Sequence, residues 1–290
     1  MTIIAFFGAT GGCTNACLAH TLLNGYHARA LVRTPSKLTK LLLSQPGITP
    51  EMISDQLEII SGDATDVESV KETLITNTDP KNLKLVTSII SGIGGSPIMS
   101  YTKESSCSNF KFRMPALPHI ELENPHITEQ TTRALLMALE QIATSFPSKD
   151  AYHAIAPRVT VISTTGHLPG NKDVGFWFRP MYSVLLPIPH ADKLQMEKLL
   201  DQETGMGVDG ILTGGVVVVR PSFLTGDHLI SVHEGEKGGR GVGVEGVRVG
   251  TETNPAIGYT ISRALVGEWI YEQIVKNGAD WVGEKVTITS

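Results

Sequence analysis

A glycine-rich segment near the start of this 290-residue chain has the composition of a phosphate-binding turn. It runs Gly8-Ala9-Thr10-Gly11-Gly12-Cys13-Thr14, between an apolar run at residues 3–7 and a helical pattern at residues 14–24. Glycines allow the backbone to turn sharply and leave room for pyrophosphate, and the N–H groups that open a helix can bind that anion. The segment therefore predicts dinucleotide binding, with a simple strand-to-helix turn as the alternative.

Two cations after the second predicted strand, residues 28–32, indicate which dinucleotide is bound. Arg33 comes directly after the strand, and Lys37 comes one helical turn later. NAD sites usually carry Asp or Glu at this point to accept from the ribose 2′-hydroxyl, whereas a guanidinium suits a 2′-phosphate. The sequence therefore predicts NADP(H), and the alternative for Lys37 is a solvated helix face.

These residues need a frame to position them, and the hydrophobic pattern predicts one. Strands are predicted at residues 3–7, 28–32, 57–60, 83–90, 158–164, 215–219 and 285–289. Helices are predicted at residues 14–24, 36–44, 66–75, 128–144, 191–203 and 262–275, with Ser36 and Asp66 as caps. This order predicts an α/β protein with a Rossmann-type, doubly wound parallel sheet.

Three stretches interrupt this alternation, at about residues 92–125, 167–189 and 227–258. They are rich in proline, glycine or aromatic residues, and the first is too long for an idle loop in a compact domain. We expect a single NAD(P)-binding domain over residues 1–290, with the insertions forming a small substrate-side lobe. A surface insertion without a functional role is the alternative for the first stretch, and the alternating residues 241–249 are a candidate hairpin arm.

The composition argues against several other classes of protein. The net charge is −5 without a long run of one sign, so neither nucleic acid nor an anionic membrane is a predicted partner. Cys13, Cys17 and Cys107 lack the spacing of a zinc site, so no metal is predicted, and a reducing, cytoplasmic compartment fits them best. No segment approaches the roughly 20 apolar residues of a spanning helix.

Segments spread over nearly the whole chain match the pattern of one known family. They are Gly8-Ala9-Thr10-Gly11 (a GATGxxG turn), residues 26–33 (a second strand), Gly62-Asp63-Ala64-Thr65-Asp66 (a GDxxD turn), residues 219–224 (a VRPxxL strand end) and Thr260-Ile261-Ser262-Arg263 (the start of a last large helix). Together they resemble the atypical short-chain dehydrogenases/reductases, which include NmrA-like, isoflavone-reductase-like and biliverdin-reductase-B-like proteins. The first insertion and the aromatic segments also resemble fungal tailoring reductases of aromatic polyketide pathways.

The resemblance extends the set of cofactor-binding candidates. The full set is Gly8, Thr10, Gly11, Gly12, Cys13, Thr14, Arg33, Lys37, Asp63 and Ala64. Asp63 and Ala64 stand where the family contacts adenine, although an Asp after a buried strand can equally form a turn. Thr14 replaces the family's third glycine, which normally allows close helix–strand packing. We expect Thr14 either to shift the helix or to place a hydroxyl near the phosphate.

The catalytic pattern of the wider superfamily is incomplete in this chain. Ordinary members use Tyr-x-x-x-Lys, but here no tyrosine has a lysine four residues later. Residues 190–197 resemble the KxxxE helix of the isoflavone-reductase-like branch, whose lysine acts in catalysis. Lys193 is therefore the leading candidate for a ribose contact or a proton relay. A surface lysine paired with Glu197 is the alternative. His190 is a second candidate acid because the pKa of histidine can lie near neutrality.

Substrate contacts are expected beyond the carboxyl ends of the strands. Ser163 ends the fifth strand, where the superfamily's substrate-binding serine lies. Trp177, Phe178 and Tyr182 are candidates for lining a pocket for a flat substrate beside Ser163 and Lys193, with the hydrophobic core as the alternative location.

These features favour an NADPH-dependent reductase of a ketone or enone in an aromatic or polycyclic small molecule. The cofactor would supply hydride, and the protein would orient the rings. One alternative is an NADP(H)-binding sensor without turnover, resembling NmrA-like proteins, which the missing tyrosine supports. Another is an isomerase, cyclase or dehydratase on the same fold, which the fold alone does not distinguish. A homodimer is compatible with the sequence.

Overall fold

The computed structural model describes residues 2–78, 83–95, 97–101, 118–167, 172–231, 244–278 and 281–290. Its strands are β1 (Ile3–Phe7), β2 (His27–Val32), β3 (Leu57–Ser61), β4 (Ile75–Asn77), β5 (Lys84–Leu85), β6 (Ser88–Ser91), β7 (Pro97–Tyr101), β8 (Pro118–Leu122), β9 (Arg158–Ile162), β10 (Val216–Pro221), β11 (Phe223–Thr225), β12 (Arg248–Gly250), β13 (Thr260–Ser262) and β14 (Lys285–Thr289). Its α-helices are α1 (Gly12–Leu23), α2 (Pro35–Leu43), α3 (Pro50–Gln56), α4 (Val67–Leu74), α5 (Ile127–Thr144), α6 (Lys149–His153), α7 (Arg179–Leu185), α8 (Pro187–Gly205) and α9 (Arg263–Ile270).

One eight-stranded sheet organises these elements, in the order β3-β2-β1-β6-β9-β10-β14-β12. All neighbouring strands in it are parallel except β12, which is antiparallel to β14 at the edge. The chain runs outward from β1 to β3 and then returns to place β6 on the other side of β1. Ligands of open α/β sheets bind beyond the carboxyl ends of the strands at such a reversal. The predicted Rossmann-type sheet is confirmed.

Helices cover both faces of the sheet and bury a separate apolar layer on each. On one face α1 and α9 pack together, and a Cβ on Gly267 of α9 would lie 2.5 Å from the Cβ of Ala16 in α1. On the other face the core is formed by residues of α4, α5 and α8 with one set of side chains from the central strands. Because both faces are covered, central strands such as β1 and β10 contain continuous apolar runs, Ile3–Phe7 and Val216–Val219.

Several local expectations need correction. The second helix begins at Pro35 rather than being capped by Ser36, because proline's fixed φ and missing N–H suit the first helical position. Asp66 does cap α4, accepting from the N–H of Ser69. The predicted strand at 83–90 is divided, because β5 pairs with β4 and only β6 enters the main sheet. The final helix continues from α9 into a π-helix, Tyr271–Lys276.

The insertions contain more regular structure than their composition indicates. In the first, β7 and β8 form an antiparallel pair, while residues 102–117 lie outside the described residues. In the second, a 3₁₀ turn, Phe176–Phe178, leads into α7. In the third, residues 232–243 are outside the described part, and the proposed hairpin arm ends in the edge strand β12. Within the described residues, no helix combines the length and apolar character needed to cross a membrane.

Candidate functional site

The predicted phosphate turn leaves β1 and enters α1 through a tight bend. Gly8 has a φ of +75°, and a Cβ there would lie 3.0 Å from backbone atoms of Gly92 and Ile93. The Gly11 N–H donates to the Gly8 carbonyl over 2.8 Å, and the Asn15 N–H donates to the Gly11 carbonyl as the first helical bond. The N–H groups before Asn15 precede the helical ladder, and the first turn of α1 has no acidic side chain. This arrangement can bind an anion.

Thr14 is accommodated by a glycine on the neighbouring strand end. Its side chain is buried, and within the described residues its hydroxyl has no hydrogen-bond partner. A Cβ on Gly92 would lie only 1.9 Å from that hydroxyl oxygen and 3.1 Å from Cδ1 of Ile162. The close helix–strand approach that the third glycine normally permits is therefore made possible here by Gly92.

A cleft of about 490 Å³ opens beyond the turn and gathers most of the predicted cofactor-binding residues. Those that line it are Gly8, Thr10, Gly11, Arg33, Lys37, Asp63 and Ala64. Arg33 and Lys37 are exposed, and in the described part of the chain neither forms an ion pair. A broader depression of about 770 Å³ beside α4 contains none of the predicted site residues, so we assign the site to the cleft.

Asp63 is confirmed as a turn former, and its contact with adenine stays a prediction. It lines the cleft, and its Oδ1 also accepts from the N–H and the hydroxyl of Thr65, over 2.8 and 2.7 Å. These two hydrogen bonds hold the pKa of the Asp63 carboxyl below its usual range. The carboxylate is thus a fixed, ionised turn former at the edge of the cleft.

Three of the predicted cofactor-binding residues, Gly12, Cys13 and Thr14, do not line the cleft. Cys13 and Cys17 are buried within the α1 packing surface, and burial raises the pKa of the Cys13 thiol to about 12. At neutral pH this thiol is protonated and serves as a small apolar group. A contribution of these residues to phosphate binding would therefore come from their backbone N–H groups.

Lys193 is not a surface residue paired with Glu197. It lies in α8 and is partly buried, and its Nζ donates to the carbonyl oxygens of Ile93 over 2.9 Å and Ile162 over 2.7 Å. Ile93 belongs to the cleft wall and Ile162 ends β9, so the ammonium lies at the carboxyl edge of the sheet. Burial lowers the pKa of Lys193 to about 8, with Asp192 and Glu197 raising it in part.

Glu197 instead lies at the centre of a buried polar network that includes Ser163. The Ser163 hydroxyl donates to Glu197 Oε1 over 2.5 Å, and Arg220 donates to both carboxylate oxygens. The Nε2 of His167 lies 3.3 Å from Oε1, and Glu252 accepts a further bond from Arg220. Burial raises the pKa of Glu197, but the nearby His167 and the hydrogen bonds from Arg220 outweigh that effect and hold the pKa well below its usual range.

Tyr182 and His190 are neighbours, with their ring centroids 5.4 Å apart. Both are buried, and burial raises the pKa of the Tyr182 hydroxyl. Burial, with a smaller effect of the His167 charge, lowers the pKa of His190 to about 4. The expectation of a pKa near neutrality is therefore wrong, and His190 is uncharged at neutral pH. Its Nε2 has no hydrogen-bond partner in the described residues, as is also true of Asp173 Oδ1 nearby.

The aromatic segment divides into an exposed part and a packed part. Trp177 is 78% exposed, so it does not belong to the core, whereas Tyr182 is only 2% exposed. Between them, Phe178 packs edge-on against Phe223 and Tyr259, with ring centroids 6.2 and 5.1 Å apart. This group of rings stands beyond the carboxyl end of β10 and β9.

Two features of the site were missed in the sequence. The first is Gly92-Ile93-Gly94-Gly95, which lines the cleft directly after β6, and glycines after a buried strand were a usable signal for it. The second is the Glu197–Arg220 pair, whose members are 23 residues apart and carry no local pattern. No cluster of residues able to hold a metal ion occurs among those that the structure describes.

No protein-family profile matches the chain. Among curated proteins, it is 46% identical to oxidase pynE of Aspergillus niger over 303 aligned residues, covering 99% of this chain and 98% of that one. It is 40% identical to reductase pytE of Aspergillus terreus over 289 residues, covering 99% and 97%.

Among solved structures, the anaerobillin reductase ChuY of Escherichia coli O157:H7 has a TM-score of 0.56 at 13% identity, covering 99% and 96% of the two chains. An alcohol dehydrogenase from Thermococcus sibiricus, complexed with 5-hydroxy-NADP, has a TM-score of 0.51 at 13% identity, covering 99% and 95%. At this level of identity, the similarity to these two structures is a similarity of fold.

Proposed function

The chain belongs to the oxidoreductase family of the Aspergillus proteins oxidase pynE and reductase pytE, and we propose that it is an NADPH-dependent reductase. The substrate in this proposal is a ketone or enone within an aromatic or polycyclic small molecule, as made in fungal polyketide metabolism. The observation that carries it is the cleft beyond β1, where the phosphate turn, two exposed cations and the GDxxD turn meet.

The cleft suits an NADP(H) molecule in the orientation usual for this fold. Gly8 and Gly11 permit the tight turn, because a Cβ on either would lie 3.0 or 3.1 Å from backbone atoms of the turn or of the neighbouring strand end. The N–H groups that open α1 suit the pyrophosphate. Arg33 and Lys37 supply positive charge for a 2′-phosphate. By resemblance to the family, Asp63 stands where the adenine would bind.

When bound, the nicotinamide cofactor supplies the hydride, and the chain must supply a proton and orient the acceptor. Lys193 is the proposed proton donor, because an ammonium has three N–H bonds and two are committed to carbonyls of the sheet edge. A pKa of about 8 leaves it protonated at neutral pH and readier than an ordinary lysine to release the proton.

Substrate positioning is proposed for the groups around the end of β9. Ser163 is held by Glu197, and Tyr182 lies with His190 against Gly166. The rings of Phe178 and Tyr259 offer an apolar surface at the same end of the sheet, which suits an aromatic substrate.

Replacing Arg33 with Asp tests the choice of cofactor. We expect NADPH affinity to fall by about one to two decades, because a charge-assisted hydrogen bond contributes roughly 1.5–3 kcal/mol. NADH affinity should change little or rise, since a carboxylate at this point accepts from the 2′-hydroxyl. Titration by intrinsic fluorescence gives both dissociation constants.

The matched control is Lys40→Asp, which makes the same change in net charge at an exposed position of α2 outside the cleft. It should leave the preference for NADPH over NADH unchanged. Equal NADPH affinity in Arg33→Asp and the parent would show that Arg33 does not bind the 2′-phosphate.

The competing proposal is a sensor that binds NADP(H) without turnover, and the absence of Tyr-x-x-x-Lys favours it. Single-turnover absorbance at the NADPH band, across quinones and polycyclic ketones, distinguishes the two. Because the 46% identical relative is named an oxidase, the reverse direction is measured with NADP⁺ and the corresponding alcohols. The reductase proposal would be contradicted if the protein binds NADPH but neither reduces the quinones and ketones nor oxidises the alcohols.

A further inference from the structure

Arg263 lies against the first residue of the helix that receives the phosphate turn. A Cβ on Gly12 would lie 2.4 Å from Cδ of Arg263 and 3.1 Å from its Cβ, so the arginine stem covers this glycine. Arg263 is itself the first residue of α9, which Ser262 caps by accepting from the N–H of Leu265. The aliphatic stem of Arg263 therefore lies against the start of α1, next to the phosphate turn.

Helix packing fixes this position. One turn after Arg263, Gly267 allows α9 to approach α1 so closely that a Cβ there would lie 2.6 Å from the carbonyl oxygen of Cys13. Residues four apart share a helix face, so Arg263 extends the same contact toward the start of α1. The arginine is thus held beside Gly12 by the interface of two helices in the core.

The charge of Arg263 has no counter-ion in the described part of the chain. Its Nη1 donates to the carbonyl oxygen of Gly226 over 2.7 Å, and no described carboxylate lies within ion-pair distance. Neither α1 nor α9 has an acidic residue in its first turn, although the positive end of a helix dipole favours one. Among the described residues, a cation and two helix N-termini therefore converge without an anion beside them.

A second cation acts on the same turn of α1. Burial raises the pKa of the Cys13 thiol, and the positive charges of Arg263 and Lys193 partly offset that rise. The hydrogen bond from Arg263 to Gly226 is exposed, so the guanidinium is open to an anion from solvent.

We infer that Arg263 binds the pyrophosphate of the dinucleotide, as a cation separate from the Arg33 that meets the 2′-phosphate. This inference rests on the proposed cofactor binding in the cleft. Arginine donates several N–H groups in a planar fork, so it can keep its bond to Gly226 and still bind phosphate oxygens. The other anion of similar chemistry is a carboxylate on the substrate, which the experiment distinguishes.

Calorimetric titration of four ligands tests the assignment on the intact protein. The ligands are NADPH, NADH, ADP and adenosine 2′-phosphate, of which only the last lacks a pyrophosphate. In Arg263→Met we expect the first three to bind about 10- to 100-fold more weakly, and adenosine 2′-phosphate to bind as it does to the parent. Arg33→Met should show the complementary pattern, with weaker NADPH and adenosine 2′-phosphate but unchanged ADP.

Arg248→Met is the matched control, because it removes the same charge from an exposed position of the edge strand β12. It should bind all four ligands as the parent does. The thermal stability of ligand-free Arg263→Met should be close to that of the parent, since loss of the bond to Gly226 is offset by removal of a cation from two helix N-termini.

Other results would overturn the inference in recognisable ways. Unchanged affinities together with a lower melting temperature would show that Arg263 only ties α9 to Gly226. Unchanged NADPH affinity with a raised KM for the organic substrate would assign it to a substrate carboxylate. If the parent protein binds none of the four ligands, the proposed cofactor site itself fails, whatever Arg263→Met does.

Discussion

Replacing Lys193 with methionine is expected to lower kcat by about 10²- to 10⁴-fold, the usual contribution of a positioned general acid. Methionine keeps much of the apolar stem and removes the ammonium. The carbonyls of Ile93 and Ile162 each lose a donor, which costs stability, but a desolvated charge is removed at the same time. The variant should therefore fold and bind NADPH with a dissociation constant close to that of the parent.

The pH profile provides a readout that a purely structural lysine would not change. A proton donor must be protonated to act, and burial lowers the pKa of Lys193 to about 8. Reduction by the parent should therefore be fastest below pH 8 and should decline as the pH rises through that value. The residual activity of Lys193→Met should lack this alkaline limb.

Lys198→Met is the matched control, because Lys198 lies on the same helix but is exposed. Its kcat and pH profile should equal those of the parent in single-turnover absorbance at the NADPH band. A loss of NADPH affinity in step with kcat would make Lys193 a cofactor-binding cation. If Lys193→Met reduces substrate as fast as the parent, Lys193 is not the proton donor, and Ser163 and Tyr182 become the next residues to replace.

The sequence predicted a catalytic role for Lys193 but did not indicate which groups its ammonium contacts. Its partners are backbone carbonyls 100 and 31 residues away, which no side-chain pattern identifies. The i,i+4 spacing indicated Glu197 as a surface partner, which is wrong because both residues turn inward. The carboxylate of Glu197 instead binds Arg220, whose fork reaches both oxygens.

The strands of the main sheet were far more predictable from the sequence than the contacts of the functional site. The apolar run Ile3–Phe7 forms a strand at the predicted bounds, because a strand covered on both faces leaves a continuous hydrophobic signal. Lys285–Thr289 also forms a strand at its predicted bounds, although its apolar residues alternate with lysine and threonine. Short strands such as β11 and β13 pair only with each other and leave no such signal. The first insertion likewise contains the β7–β8 pair, whose strands are separated by residues 102–117.

The pKa of His190 shows the limit of reasoning from residue type. Histidine was a candidate acid because its usual pKa lies near neutrality, but that value assumes a solvated ring. Packing against Tyr182 buries the ring and lowers its pKa to about 4. Burial of this kind depends on α7 and α8 meeting the end of β9, which is set by tertiary structure.

Replacing Gly92 with alanine is expected to destabilise the fold by about 3 kcal/mol, at the upper end of the cost of overpacking. The added Cβ would lie 1.9 Å from the Thr14 hydroxyl oxygen and 3.1 Å from Cδ1 of Ile162, and both neighbours are buried. This clash can be relieved only if the first turn of α1 moves, so NADPH affinity should fall as well. Urea denaturation gives the free energy of unfolding, provided that the m-value stays constant.

The control for this substitution lies two residues away in the same cleft wall. A Cβ on Gly94 would meet nothing within 4 Å, so Gly94→Ala should change stability by less than about 0.5 kcal/mol. Equal stability of Gly92→Ala and Gly94→Ala would contradict the proposed contact between Gly92 and Thr14.

The double variant Gly92→Ala/Thr14→Gly then tests whether the two positions exchange roles. Thr14→Gly alone should lower stability, because it leaves a void beside Gly92 and loosens the first turn of α1. In the double variant the new methyl group occupies the space left by threonine, and the family's third glycine is restored at the helix. We expect it to be at least 1 kcal/mol more stable than the sum of the two single effects predicts, which is the size of coupling seen for residues in contact. Simple additivity would mean that Gly92 and Thr14 do not share this space, and that close approach of α1 to β6 depends on other residues.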